Sequence, residues 1–120
     1  MDLNHTIVPS TDRDASAAWF ARMMGLTYEG GQGHFSPVRI NDALTLDFDD
    51  RRQVVHHHYA FVVNDEEFDS IFGRVLAEGI TYGSGPADER TNMQINHRQG
   101  GRGVYFDEIN GHSIELMTRA

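Results

Sequence analysis

The sequence has no cysteine. That removes a disulfide framework, a thiol nucleophile and thiolate-bound zinc, so any metal must be held by His, Asp or Glu. Cationic side chains are scarce too: ten Lys plus Arg stand against eighteen Asp plus Glu, a formal charge of −8 with neutral histidine. This balance argues against phosphate backbones and anionic lipid surfaces, and so against nucleic acid or membrane as a partner. No window approaches the ~18 consecutive apolar residues of a membrane span. The opening "MDLNHTIVPS" has neither the basic nor the apolar region of a signal peptide, which predicts a soluble, cytoplasmic chain. A length of 120 residues suits one domain with one site. What the chain does have is histidine, seven in all, three of them in "VVHHHYAFVV" from Val54 to Val63.

The two halves of the chain repeat each other. "HTIVPSTD", His5 to Asp12, matches "HYAFVVND", His58 to Asp65; each opens on His and reaches Asp seven positions on. "WFAR" and "GLTY" in the first half answer "IFGR" and "GITY" in the second, in nearly the same register. Ile40-Asn41 before "ALTLDF" and Ile109-Asn110 before "HSIELM" form a third echo. A repeat of this length used twice points to duplication of one supersecondary module.

Within each half the His-led segment alternates like a strand, Asp12 or Asp65 is placed to cap a helix, and helical spacing follows. One side of the first helix is expected to carry Ala15, Ala18, Trp19, Arg22 and Met23. The second shows a stripe of Phe68, Ile71, Phe72, Val75 and Leu76. Gly25 and Gly79 sit where a helix ends in a left-handed residue. Leu26 to Tyr28 and Ile80 to Tyr82 then read as strands, followed by two more strands per half. The expectation is an α+β fold of two βαβββ modules, the first over about residues 1–50 and the second over about 54–120. Between Gly83 and Gly103 runs a polar, glycine-rich connection long enough to be functional.

With the paired modules, "HYAFVVND" opening the second and "GVYFDEINGHSIELM" closing it, the chain resembles the vicinal oxygen chelate superfamily. That group includes glyoxalase I, fosfomycin-resistance enzymes, extradiol dioxygenases and bleomycin-resistance proteins. The resemblance covers essentially the whole chain. It implies curved mixed sheets around a central cavity and a divalent metal, zinc, iron, manganese or nickel, held by His5, His58 and Glu115. Two imidazoles and one carboxylate leave open positions for a small oxygenated substrate. Asp47 is a possible fourth ligand if Thr45-Leu46-Asp47 aligns with Ser113-Ile114-Glu115; aligning the Ile-Asn pairs puts Leu46 there instead. Tyr105, ten residues before Glu115, stands where related enzymes place a substrate-contacting tyrosine, and His97 is the loop candidate for acid–base work. Arg98 and Arg102 could orient an anionic substrate. Proteins of this size in the superfamily are usually homodimers. The competing expectation is a metal-free small-molecule binder of the bleomycin-resistance type. Of the three adjacent histidines, the repeat selects His58; alternation puts His56 on its face and turns His57 away.

Overall fold

The computed structural model describes residues 1–120, which divide into two compact units, Met1–Val55 and His56–Ala120. The fold is α+β, with one helix and one mixed sheet in each unit. No helix is long and apolar enough to cross a membrane.

In the first unit β1 (His5–Pro9) leads to α1 (Arg13–Met24), β2 (Ser36–Arg39) and β3 (Thr45–Asp49), in sheet order β1-β3-β2. Asp12 caps α1 as expected, its carboxylate accepting the Ala15 N–H at 3.1 Å, and Gly25 ends it in a left-handed conformation, φ 71°. The buried face differs from the expected one. It is Ser16, Ala17, Phe20, Ala21 and Met23, whereas Ala15, Ala18 and Arg22 are exposed and Trp19 is half-buried. Small residues at 16, 17 and 21 leave little amphipathic signal in the sequence. The two large ones, Phe20 and Met23, do the filling, Phe20 against Phe48 of β3 with ring centroids 5.6 Å apart. Val8, Val38 and Leu46 complete the core.

The strand expected over Leu26 to Tyr28 does not form. The Leu26 N–H closes the helix onto Ala21 O at 2.8 Å. The Tyr28 hydroxyl binds the Asp14 carboxylate, which also accepts from the Ser36 hydroxyl at 2.7 Å. Local bonds to the helix have replaced the ladder a strand would need.

The second unit keeps the full order: β4 (His58–Val62), α2 (Asp65–Ala77), β5 (Tyr82–Gly83), β6 (Gly103–Asp107) and β7 (Ser113–Met117), with sheet order β4-β7-β6-β5. The N-cap of α2 is Asn64 rather than Asp65. Asn64 Oδ1 accepts the Glu67 N–H at 2.7 Å and Glu67 Oε1 accepts the Asn64 N–H at 3.0 Å, a reciprocal pair that closes two orphan donors. Asp65 lies one residue inside, where its charge complements the helix dipole. Phe68, Ile71 and Val75 are buried; of the expected stripe only Leu76 is exposed. Under the helix, β6 contributes Val104 and Phe106, and β7 contributes Ile114 and Leu116.

The chain from Gly83 to Gly103 is folded rather than extended into solvent. It makes 3-10 turns at Ala87–Thr91 and Arg98–Gly100. Asn92 and Ser84 bond to each other twice, at 2.7 and 3.0 Å, and Asn96 pairs with Gly103 across a two-bond bridge. A side chain at Gly83 would collide with the backbone of Glu89 and Arg90, so only glycine lets the first turn lie back on the strand. Arg102 fastens the far end to α2, donating to Asp69 at 2.7 Å and Asp65 at 3.0 Å over the Phe68 ring.

One charge is fully buried in the first unit. Asp49, in the run "DFDD", is held by both nitrogens of a forked Arg51, each at 3.0 Å, with Arg52 at 3.4 Å. The Arg51 hydrogen bonds bring its pKa down to about 2. A carboxylate with a depressed pKa stabilises the fold above its unfolded value and loses that contribution as pH falls. We therefore expect acid to cost stability between about pH 4 and pH 2. Asp49→Asn should lower stability at neutral pH by on the order of 2 kcal/mol and flatten that acid limb, as read by urea unfolding at several pH values. An unchanged acid limb would show that another group controls it.

Candidate functional site

β4 and β7 run parallel with His58 opposite Ser113 and Ala60 opposite Glu115, and β6 is antiparallel with Tyr105 opposite Glu115. Residues that alternate along a strand share a face, so His58, Glu115 and Tyr105 come to one side of the sheet while Ile114, Leu116, Val104 and Phe106 go under the helix. His58 Nε2 lies 3.0 Å from Glu115 Oε1. The His58 and Tyr105 rings are neighbours, with centroids 5.8 Å apart. The imidazole is half exposed, but the Glu115 side chain is only 11% exposed. The site thus has an open nitrogen beside a sheltered carboxylate.

Shelter for that carboxylate comes from the long connection. Arg98 donates through Nη1 to the Tyr105 hydroxyl at 2.9 Å and through Nη2 to Ser84 O at 3.2 Å. Its Nη1 stands 3.9 Å from Glu115 Oε2. Burial pushes the Tyr105 phenol above its ordinary pKa, the Arg98 hydrogen bond pulls it back, and Glu115 adds to the rise. His97, the sequence candidate on this loop, precedes the second 3-10 turn and is exposed; its Nδ1 pairs with Gly101 O at 3.2 Å. The loop residue that reaches the site is its neighbour Arg98. Two signals were available for it: a cation within seven residues of Tyr105, and a connection too long to be a plain turn.

His5 belongs to the first unit, where the same construction recurs. β1 and β3 are parallel with His5 opposite Thr45 and Ile7 opposite Asp47. This register makes Asp47, and not Leu46, the positional counterpart of Glu115. His5 and Asp47 both line a concavity of about 680 Å³, together with Asn4, Thr45, Pro37 and Arg39. Burial raises the Asp47 pKa, and the nearby His5 works against that rise. Asn4 Oδ1 sits 2.8 Å from His5 Nδ1, which leaves Nε2 of His5 as the nitrogen directed elsewhere. No group of three or more metal-capable side chains gathers in the chain. Each unit instead carries one His and one carboxylate in matched register.

Of the two flanking histidines, His57 is turned away as alternation suggests, whereas His56 does not take the place alternation gives it. Strand pairing begins only at His58, so the two-residue period does not extend back to His56. His56 lies against Gly111, where an added Cβ would come within 2.7 Å of His56 Nε2, and near the His112 ring at 6.3 Å. His57 packs by Tyr59 and His112, on the side away from Glu115. His112 is completely buried and its Nδ1 accepts the His57 N–H at 3.0 Å, while His57 O accepts the Ser113 N–H at 2.9 Å. The residue just before His58 is therefore clamped on both of its polar groups.

The pair His58 and Glu115 fits a metal. A nitrogen and an oxygen bound side by side at 2.0–2.2 Å must stand about 3 Å apart, and these two atoms already do. The exposed half of the imidazole supplies access, and Arg98 supplies partial neutralisation of Glu115.

No family model matches the chain. It is 26% identical over 121 residues to the glutathione transferase FosA of Serratia marcescens, a match spanning 95% of this chain and 78% of that one. The solved structure of Oxidase ChaP-H2 is 44% identical and superposes with a TM-score of 0.94, covering all of this chain and 94% of that one. A glyoxalase/dioxygenase from Nostoc punctiforme shares the fold at 20% identity, TM-score 0.69, over 97% of this chain and 89% of that one.

Removing the Arg98 guanidinium should expose its effect on the phenol. In Arg98→Gln, the Tyr105 pKa should rise relative to the parent chain, because burial and Glu115 both favour the neutral phenol and the opposing cation is gone. ¹³C-tyrosine NMR over an alkaline pH series reads this directly. An unmoved or lowered Tyr105 titration would mean that Arg98 does not control that proton.

Proposed function

Because the chain belongs to the vicinal oxygen chelate superfamily, we propose that it is a metal-dependent enzyme that uses dioxygen as the oxidant of a small organic molecule bound through neighbouring oxygens. In this reading His58 and Glu115 are ligands of the divalent metal, and His5, matched to His58 by the repeat, is the third that the resemblance implies. The observation that carries this reading is the 3.0 Å approach of His58 Nε2 to Glu115 Oε1 across a parallel strand pair, at the spacing of adjacent metal ligands. Oxidation is preferred over glutathione transfer because the chain is 44% identical to a protein called an oxidase and 26% identical to one called a glutathione transferase.

When bound, the metal supplies Lewis acidity toward the chelated oxygens and, if it is iron or manganese, redox chemistry. The chain's residues supply the rest. Arg98 occupies the Tyr105 oxygen as a donor, so the phenolic proton remains the one to be donated. With Glu115 committed to the metal, Tyr105 Oη is left to donate that proton to a substrate oxygen as charge develops there. Arg98 meanwhile keeps the phenol close to Glu115. His97 is given no step. Asp47, matched in register to Glu115 but one methylene shorter, is available as a fourth ligand beside His5.

The purified chain should bind one equivalent of iron or manganese. His58→Ala and Glu115→Ala should each weaken that binding more than about 100-fold, beyond the cost of losing an outer partner. His5→Ala should also weaken it. Dioxygen uptake with candidate diols should require the iron- or manganese-loaded chain and be absent with zinc. Retention of stoichiometric metal by both His58→Ala and Glu115→Ala would sink the ligand assignment. Failure of the parent chain to take up metal would favour a metal-free binder.

A further inference from the structure

A small concavity of about 170 Å³ opens beside Glu115, lined by Asn96, Arg98, Arg102, Met117 and Arg119. The chain contains no lysine and only ten arginines against eighteen acidic residues, yet three of those arginines face this one space. Their charges are not equally available. Arg102 is neutralised by Asp65 and Asp69. Arg98 is directed to Tyr105 and Ser84, with Glu115 Oε2 at 3.9 Å as its nearest carboxylate. Arg119 has no carboxylate partner. Its stem is accommodated by glycine, since a Cβ on Gly101 would lie 3.1 Å from Arg119 Cγ and 2.6 Å from Thr118 Oγ1. The tight approach of the loop backbone thus seats Arg119 against the concavity.

Glu115 is the only side chain of opposite sign lining the space. Under the reading above, its charge is committed to the metal, and Arg98 then keeps only the more distant Glu89 as a counter-charge, while Arg119 has none. Arg98 and Arg119 would then face the pocket directly beside the chelating position, with Gln99 and Ala120 on its wall as well. We propose that this pocket is a carboxylate-binding subsite, and that the substrate carries a carboxylate group a few bonds from the oxygens that chelate the metal. A guanidinium presents paired donors in the plane that a carboxylate needs. The volume admits a carboxylate and its attachment rather than a whole ring system, well below the ~300 Å³ and more of a complete small-molecule site. The body of the substrate lies outside this pocket. The inference rests on the metal reading, and its test keeps the two apart.

The zinc-loaded chain is titrated calorimetrically at neutral pH with 2,3- and 3,4-dihydroxybenzoate and with the methyl ester of each, so that every acid has a neutral partner of nearly the same shape. At least one acid is expected to bind 10-fold or more tighter than its ester. Arg119→Gln should reduce that preference to threefold or less while leaving the ester's affinity unchanged, and Arg90→Gln, outside the pocket, should leave the preference intact. Acids and esters that bind alike, or a preference that survives Arg119→Gln, would overturn the subsite while leaving chelation standing. Failure of all four diols to bind the zinc-loaded chain would overturn the chelation reading, and the subsite with it.

Discussion

The parallel pairing of the first and last strands of each unit is the constraint on which the site depends. In the second unit it sets His58 opposite Ser113, so Glu115 stands two residues along the neighbouring strand on the same face. A slip of one residue would send Glu115 under α2 and bring Ile114 out, an exchange that the core could not survive with Ile114 and Leu116 both buried. The same hydrophobic alternation that stabilises the sheet therefore fixes the spacing of His58 and Glu115. Packing and chemistry are specified together here, because one register satisfies both.

Sheltering a carboxylate has a cost that the sheet alone does not offset. Glu115 and Tyr105 point away from the core, yet both are nearly covered, because the folded connection from Gly83 to Gly103 lies over them. That cover brings its own cation. Arg98 meets the phenol and approaches the carboxylate, setting an opposite charge beside a group largely removed from solvent. The first unit handles its buried charge differently: Asp49 is fully enclosed, but two arginines from the next three residues neutralise it locally. One carboxylate is held by its immediate sequence neighbours, the other by a loop seventeen residues away, and only the second is left with an open face.

Much of the fold was readable because duplication writes the same pattern twice. The His-to-Asp spacing located both leading strands, and Asp12 and Gly25 marked the ends of α1 where the structure has them. Where sequence and structure part, the causes are physical. The buried face of α1 is built from Ser16, Ala17 and Ala21, which carry almost no periodic signal. The cap of α2 is Asn64 and not its acidic neighbour Asp65, because Asn64 and Glu67 form the reciprocal capping pattern. Strand alternation does not reach His56, where no ladder exists to enforce it. The role of His112 was not legible, since it acts through a backbone bond 55 residues away; Arg98 was legible as a loop cation, but its bond to Tyr105 depends on the path of a folded loop.

The two units preserve register but not surroundings, and that difference argues for a division of labour between copies of one module. Asp47 repeats the position of Glu115, but no arginine bonds it, and desolvation raises its pKa against the pull of His5. The strand corresponding to β5 is missing from the first unit, and with it the long connection that would have covered this face. What remains is a wide concavity, about 680 Å³, against the tighter and more cationic space beside Glu115. Hence the second unit holds its carboxylate sheltered and faced by a cation, while the first offers an imidazole, a shorter carboxylate and room.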